Sequence, residues 1–341
     1  MPNPPSKIRR LKVQDQWRRG NNYTLFRGRW EKLLQKLPDQ SVDLVLTSPP
    51  YCMGKSYEKK TQAEEFLRDL KKILPELLRV VRTGGSICWQ VGYHVTDGII
   101  TPLDFLIFKM MAEQPKFYLR NRIIWTFGHG LHTADRFSGR HETVLWFTKG
   151  KRYRFDLNAV RILQKYPGKK HYKGDRKGEL SGNPRGKNPS DVWEASDVWD
   201  IPNVKANHVE KTSHPCQFPI ALAQRVIAAT TKKGDLVLDP FTGVGTTAAA
   251  AALLERRFVG AETLRKYHKI AVKRVREALR GKLRYRPSGK SVYEPRANTP
   301  LTIVPSNWRI RGNDEIAAPA LTGHGRNGTR CLEKRKESAG N

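Results

Sequence analysis

Residues 43–51 read DLVLTSPPY, an apolar strand-like run that ends in two prolines and an aromatic ring. Adjacent prolines fix the backbone and lack amide donors, so nearby carbonyl oxygens stay free to accept hydrogen bonds. The Ser48 hydroxyl and the Pro49 carbonyl can both accept from an exocyclic amino group, and Tyr51 can stack on the ring that carries it. An amine conjugated to a base ring is a poor nucleophile, and holding its hydrogens out of the ring plane frees its lone pair. We therefore predict that Ser48, Pro49, Pro50 and Tyr51 hold an amino-bearing base for attack on an electrophile.

A second segment that could take part in binding or catalysis is a glycine-rich turn. It spans residues 239–247, which read DPFTGVGTT. Gly243 and Gly245 let the backbone approach a ligand closely, and the start of the following helix offers unpaired N–H groups to an anion. Glu262 ends the next predicted strand, where nucleotide-binding folds place a carboxylate for ribose hydroxyls. The turn alone leaves three interpretations open: an adenosine-containing ligand in general, a dinucleotide in particular, or a structural turn. A phosphate-binding P-loop is disfavoured, because no Gly-Lys-Ser or Gly-Lys-Thr triplet closes the turn.

These two segments need a scaffold that brings them together. Short branched and aromatic runs alternate with segments of helical period, which predicts an α/β domain with a mostly parallel sheet. The predicted strands are Val42–Thr47, Ser86–Val91, Arg122–Phe127, Thr143–Thr148, Asp235–Asp239 and Arg257–Gly260. The predicted helices are Ala63–Val81, in which Pro75 introduces a kink, Phe218–Ala229 and Leu264–Leu279.

The region from Lys151 to Lys211 breaks this alternation, because it lacks sustained apolar periodicity and is rich in glycine, asparagine and proline. Basic residues are interleaved there with Tyr166, His171 and Tyr172, a mixture that suits phosphates and stacked bases. A solvated basic loop explains the composition equally well. The candidate DNA-binding residues of this region are Lys165, Lys169, Lys170, Lys173, Arg176, Lys177, Arg185 and Lys187.

The charge balance narrows the class of partner. The 341 residues include 63 Lys and Arg against 32 Asp and Glu, a formal net charge of +31. Such an excess favours a polyanion, and nucleic acid fits better than a membrane surface, since the chain has no apolar run of the roughly 20 residues needed to span a bilayer. The N-terminus has no apolar signal region, and the four cysteines are widely spaced. We therefore expect a cytoplasmic protein without disulfides and without a metal site.

The two motifs together resemble those of the amino-group DNA methyltransferases. TSPPY lies upstream and DPF-x-G-x-GTT lies downstream, with residues 151–211 between them, and this order resembles the β group of that family. Residues 140–149 and 214–219 resemble further segments of the family, over a match of roughly residues 23–280. The resemblance implies a Rossmann-like S-adenosylmethionine-dependent methyltransferase fold, with a circularly permuted motif order and an inserted loop-rich recognition module.

The resemblance also assigns roles to residues and segments. The target base would contact Ser48, Pro49, Pro50 and Tyr51. The S-adenosylmethionine pocket would consist of Asp239, Phe241, Gly243, Gly245, Thr246, Glu262, His214, Phe218 and Pro219, with Thr247 also near the methionine end. The chain would divide into a basic arm (1–22), a catalytic half (23–150), a target-recognition insert (151–211), a cofactor-binding half (212–285) and a basic, poorly ordered tail (286–341).

The resemblance favours one target base through the residue before the two prolines. A serine there resembles the cytosine-N4 enzymes and an aspartate the adenine-N6 enzymes, so Ser48 favours cytosine N4 with adenine N6 as the alternative. The expected partners are double-stranded DNA and, by family resemblance, a cognate restriction endonuclease. An RNA methyltransferase, a DNA-binding protein without catalytic activity and a nicotinamide-dependent oxidoreductase are the remaining alternatives.

Overall fold

The computed structural model describes residues 12–51, 63–128, 130, 132–164, 166–193, 201–205 and 207–287. Lys165 and residues 288–341, most of the predicted tail, lie outside this range, as do the first eleven residues of the predicted N-terminal arm. No helix within the described residues is long and apolar enough to span a membrane.

A nine-stranded sheet forms the centre of the fold, in the spatial order β1-β2-β11-β10-β3-β4-β8-β7-β9. These strands are β1 (Val13–Gln14), β2 (Tyr23–Arg27), β3 (Val42–Thr47), β4 (Val81–Val91), β7 (Phe117–Thr126), β8 (His141–Lys149), β9 (Val192–Trp193), β10 (Leu236–Asp239) and β11 (Arg257–Glu262). A separate hairpin joins β5 (Tyr93–Thr96) and β6 (Ile99–Pro102).

Six helices accompany the sheet within the described residues. They are α1 (Trp30–Leu34), α2 (Ala63–Val80), α3 (Leu103–Ala112), α4 (Ile220–Thr230), α5 (Thr246–Leu253) and α6 (Arg265–Leu279). The α/β prediction is confirmed, and the three predicted helices are present with Pro75 inside α2. Strands β1, β2, β5, β6 and β9 and helices α1 and α3 were not predicted, because their apolar runs are too short or too weakly periodic to stand out.

The sheet is buried on both faces, which explains its uninterrupted apolar strands. Along β3, Leu44 and Leu46 belong to one hydrophobic cluster, with α4, α5 and α6, while Val45 belongs to the other, with α1, α2 and α3. All three side chains are fully buried. Successive strand residues point to opposite faces, so a strand covered on both sides must be apolar at each position.

The sheet is mixed at one end. Strands β1, β2, β11, β10, β3 and β4 run parallel, whereas β8 is antiparallel to both β4 and β7. The described residues between β7 and β8 contain no helix. Parallel neighbours need a crossover connection, so β8 returns directly along β7 as an antiparallel strand.

The pairing of β3 with β10 brings the two chemical motifs together. Leu44 lies beside Val237 and Val45 beside Leu238 in parallel register. The carboxyl ends of both strands therefore meet at the same edge of the sheet, and ligands of open α/β sheets bind in the crevice at that edge. Thr47 Oγ1 donates to Asp239 Oδ1 at 2.7 Å across this junction.

Two predicted peripheral segments have regular structure in places. Within residues 151–211, a short 3₁₀ helix covers Leu157–Ala159 and β9 pairs with β7, while the other described residues of this segment lie mainly in turns and isolated bridges. Within the predicted N-terminal arm, β1 extends the sheet by pairing with β2. The ends of the predicted segments remain predictions.

Candidate functional site

A cavity of about 410 Å³ opens at the carboxyl edge of the sheet, between β3 and β10. Ten of the thirteen residues predicted for base and cofactor binding line it. They are Ser48, Pro49, Pro50, Tyr51, His214, Phe218, Phe241, Gly243, Thr246 and Glu262. The fold thus places both predicted sets, which are far apart in the sequence, around a single cavity.

The end of the cavity near Ser48, here called the base end, contains a row of hydrogen-bonded side chains. The Tyr51 hydroxyl lies 3.2 Å from Ser48 Oγ, and 3.3 Å from both the backbone oxygen and Oε1 of Gln90. Burial raises the pKa of Tyr51 well above its ordinary value, so the phenol stays protonated. His94 Nδ1 lies 3.2 Å from the Tyr51 carbonyl oxygen and helps to fix the loop.

Glu142 is a functional candidate that the sequence analysis did not single out. It lies near the start of β8, lines the cavity and accepts a hydrogen bond from Gln90 Nε2. Burial raises its pKa from 4.5 to about 7, against the opposing effects of the Gln90 hydrogen bond and the positive charge of Lys205. A titratable carboxyl in a cleft with such a shift is a functional candidate. Its sequence signal was the His-Glu pair before an apolar strand.

The glycine turn forms the opposite wall, here called the cofactor end. Gly243 and Gly245 have φ values of 53° and 79°, in the left-handed region. A Cβ on Gly245 would lie 2.9 Å from Ala271 Cα and 2.8 Å from its Cβ, so α6 packs directly on the turn. Gly245 precedes α5, whose first residue, Thr246, lines the cavity. The start of this helix can therefore present unpaired N–H groups to an anionic group.

Aromatic and acidic side chains complete the cofactor end. Glu262 stands at the end of β11, where burial raises its pKa and the Leu264 amide donates to Oε1 at 2.7 Å. Burial lowers the pKa of His214 to about 4, so its imidazole is neutral at physiological pH. The His214 ring contacts Tyr267 edge-on, with ring centroids 4.5 Å apart. Such a wall suits a ligand with an aromatic ring and a ribose.

Three predicted cofactor residues, Asp239, Gly245 and Pro219, do not line the cavity. The Asp239 carboxylate is buried beneath the turn and accepts from Thr47 Oγ1, Thr247 Oγ1 and the Phe241 amide at 2.7, 2.8 and 3.1 Å. Burial nevertheless raises its pKa to about 6. The carboxylate therefore fixes the shape of the turn from below.

Part of the cavity wall comes from the predicted recognition insert. Asn203, Val204 and Lys205 line the cavity beside Trp125. Trp125 Nε1 donates to the Ile201 carbonyl at 2.7 Å, which holds this segment against β7. No local pattern marks these residues, because only the tertiary fold brings them to the cavity.

The predicted DNA-binding residues are separate from the cavity. Within the described residues, Lys187 is partly buried and the other six members of the set are exposed. Arg176 forms a surface ion pair with Glu179 at 2.9 Å. None of these seven residues lines the cavity.

A family model described as DNA methylase, for the N6 and N4 amino-group enzymes, matches residues 42–273. This chain belongs to that family. This chain is 48% identical over 248 residues to the type II methyltransferase M.BglII of Bacillus subtilis. The aligned region covers 72% of this chain and 67% of the relative. The amino-group methyltransferase family, which the two motifs predicted for this chain, is confirmed.

Solved structures agree with the fold of this DNA methylase. The PvuII DNA methyltransferase (cytosine-N4-specific) matches with a TM-score of 0.57 at 19% identity, over 75% of this chain and 92% of that one. TTHA0409 of Thermus thermophilus, complexed with S-adenosyl-L-methionine, matches with a TM-score of 0.53 at 27% identity, over 75% and 94% of the two chains. The predicted cofactor, S-adenosylmethionine, is confirmed as that of the family.

Proposed function

We propose that this DNA methylase transfers a methyl group to the exocyclic N4 of cytosine at a specific sequence in duplex DNA. The observation that carries the proposal is the single cavity that joins the Ser48–Tyr51 segment to the glycine turn and Glu262. One wall supplies acceptors for an amine, and the other suits an adenosine with an anionic tail. Ser48, as the residue before the two prolines, supports cytosine as the base.

The residues of the base end would orient the amine. The target nucleotide swings out of the duplex stack into the cavity, because an amine inside the helix cannot reach a buried methyl donor. Ser48 Oγ and the Pro49 carbonyl accept the two amine hydrogens, which turns the nitrogen lone pair toward the methyl group. Tyr51 stacks on the base. Most of the rate enhancement then comes from positioning.

The residues of the cofactor end would hold S-adenosylmethionine. Glu262 accepts from the ribose hydroxyls, Phe241 and Phe218 flank the adenine, and the start of α5 with Thr246 receives the methionine carboxylate. When bound, the cofactor supplies a sulfonium methyl group, an electrophile strong enough to react with an amine directly. Asp239, Gly245 and Pro219 would support this wall without lining it.

Basic side chains outside the cavity would bind the phosphate backbone. The seven described members of the predicted set provide positive charge for counterion release, and Tyr166 and Tyr172 beside them are exposed. The region 151–211 would read the recognition sequence. The type II methyltransferase name of M.BglII supports a cognate restriction endonuclease as a partner.

Product analysis tests this proposal. The purified protein is incubated with tritiated S-adenosylmethionine and unmethylated duplex DNA, and the nucleosides are identified by mass spectrometry. We expect label in N4-methylcytidine. Label in N6-methyladenosine would keep the mechanism and reverse the base assignment, while label only in a matched RNA substrate would overturn the DNA specificity.

A further inference from the structure

The base end contains a continuous hydrogen-bonded row from Ser48 to a carboxyl group. Ser48 Oγ contacts the Tyr51 hydroxyl at 3.2 Å, and that hydroxyl contacts Gln90 Oε1 at 3.3 Å. Gln90 Nε2 then donates to Glu142 Oε2. Gly92 adjoins the row, since a Cβ there would lie at ordinary contact distance, 3.5 Å from Glu142 Cγ and 3.6 Å from Tyr51 Cε2. Three separate strands and loops thus contribute to one row.

The donor and acceptor inventory gives this row a direction. The ionised Glu142 carboxylate can only accept, so the Gln90 amide turns its Nε2 toward Glu142 Oε2 and its Oε1 toward Tyr51. Both Gln90 atoms within reach of the Tyr51 hydroxyl, the backbone oxygen and Oε1, are acceptors. The single phenolic proton of Tyr51 therefore points toward Gln90.

The direction carries through to the cavity. Because the Tyr51 proton points toward Gln90, the 3.2 Å contact with Ser48 is satisfied by the Ser48 hydroxyl donating to the Tyr51 oxygen. Ser48 then has no proton left for the cavity and presents only lone pairs. An amine hydrogen needs an acceptor of that kind.

We propose that Glu142 is a positioning residue for methyl transfer, which acts through Gln90 and Tyr51 to turn the lone pairs of Ser48 toward the target amine. The inference rests on the proposed function, because it takes Ser48 as the acceptor of the amine hydrogen. Without Glu142, the Gln90 amide can rotate and donate to Tyr51. The orientation of the Ser48 hydroxyl is then no longer fixed.

Single-turnover methyl transfer at pH 8, where the Glu142 carboxyl is ionised, tests this role at saturating DNA and cofactor. Glu142→Leu removes the acceptor at similar volume, and we expect the transfer rate to fall about 20-fold, as for loss of a hydrogen bond to a charged group. Affinity for S-adenosylmethionine, measured by calorimetry, should stay within twofold of the parent. The control is Glu277→Gln on the outer surface of α6, which should leave both values unchanged.

A rescue variant separates orientation from simple packing. In the double variant Gln90→Glu/Glu142→Gln, residue 142 donates to residue 90, whose other carboxylate oxygen still accepts from Tyr51. The direction at Tyr51 and Ser48 is preserved, so this variant should transfer at least fivefold faster than Glu142→Leu and than Gln90→Leu. In a Tyr51→Phe background, Glu142→Leu should change the transfer rate less than twofold, because the Tyr51 hydroxyl through which Glu142 acts on Ser48 is already absent.

Each outcome decides one question. A Glu142→Leu rate within twofold of the parent, with Ser48→Ala slow, would overturn this inference and leave the proposed function intact. A Ser48→Ala variant that transfers at the parent rate would overturn the proposed base end itself. If Glu142→Leu fails to fold, the comparison uses the double variant Gln90→Glu/Glu142→Gln. A transfer rate of this double variant as low as that of Gln90→Leu would overturn the inference.

Discussion

The glycine turn at the cofactor end is one short stretch of chain, which Glu262 and His214 complete, whereas the base end is assembled from four separate segments. Gly243, Gly245 and Thr246 lie within a single turn, and Asp239 fixes that turn from below. Ser48 and Tyr51 follow β3, but Gln90 comes from β4, Glu142 from β8 and Lys205 from the loop after β9. A contiguous turn depends on local backbone geometry, and an assembled row depends on strand register. The two ends should therefore fail in different ways.

The largest effect is expected from filling the cofactor turn. Gly245→Val places a branched side chain at a positive φ against Ala271, so we expect a loss of about 3 kcal/mol or more in the free energy of unfolding, together with loss of cofactor binding. Urea denaturation measures the stability. The matched control is Gly168→Val, at a position with no atom within 4 Å and no positive φ. Equal stability of the two variants would contradict the packing role of Gly245.

Removing one acceptor at the base end should act on catalysis and leave binding intact. Ser48→Ala is expected to slow single-turnover methyl transfer about 100-fold, since the lost hydrogen bond orients the amine in the transition state. Duplex and cofactor affinities should stay near the parent values. Ser41→Ala is the control, because the Ser41 hydroxyl donates to Pro38 O at 2.7 Å outside the cavity. A parallel loss of cofactor affinity would show that the two ends are not separable.

Neutralising Glu262 should produce the complementary pattern. Glu262→Gln keeps an acceptor for the Leu264 amide but removes the charge, so we expect cofactor affinity to fall about 10-fold in calorimetry. The transfer rate at saturating cofactor should change little. A rate loss that saturating cofactor does not restore would place Glu262 in the chemical step.

Stability of the unliganded protein should depend on the Glu142 carboxyl as pH changes. Burial raises its pKa from 4.5 to about 7, so between these values the unfolded chain is ionised while the folded carboxyl keeps its proton. The folded state is then disfavoured progressively as pH rises from 4.5 to 7, and the cost persists above 7. Glu142→Gln removes this cost, and we expect it to raise the free energy of unfolding by about 1–2 kcal/mol more at pH 8 than at pH 4.5. An equal change at both pH values would contradict the shifted pKa.

The smallest effect per residue is expected outside the cavity. The triple variant Lys169→Ala/Lys170→Ala/Lys173→Ala should lower the slope of the logarithm of duplex affinity against the logarithm of salt concentration. The decrease should correspond to the loss of up to about three phosphate contacts, and the transfer rate at saturating DNA should not change. Lys232→Ala/Lys233→Ala, in the turn before β10, provides a basic control. Identical salt slopes for both variants would remove these lysines from the DNA interface.

The sequence predicted the two motifs, the strands β3 and β10 that carry them, and the family, because each depends on local order. A buried parallel strand is recognisable from its uninterrupted apolar run, and a glycine turn from its composition. The roles of the predicted site residues and the borders of the segments remain predictions. The sequence placed Asp239 in the cofactor wall, but its burial beneath the turn could not be predicted from the sequence. Its hydrogen bonds with Thr47 and Thr247 depend on how the strands pack.

Residues without a local pattern were decided by tertiary structure. Gln90 and Glu142 belong to strands whose apolar runs indicate only that these segments lie in a sheet. The antiparallel register of β4 with β8 brings the two side chains into contact. The Trp125 side chain helps to hold residues 201–205 at the cavity by donating a hydrogen bond to the Ile201 carbonyl. The amino-acid sequence by itself therefore determined the chemistry of the two motifs and their order. The fold alone decided which side chains complete the base end, because contacts between distant strands follow from register and packing and leave no periodic trace in the chain.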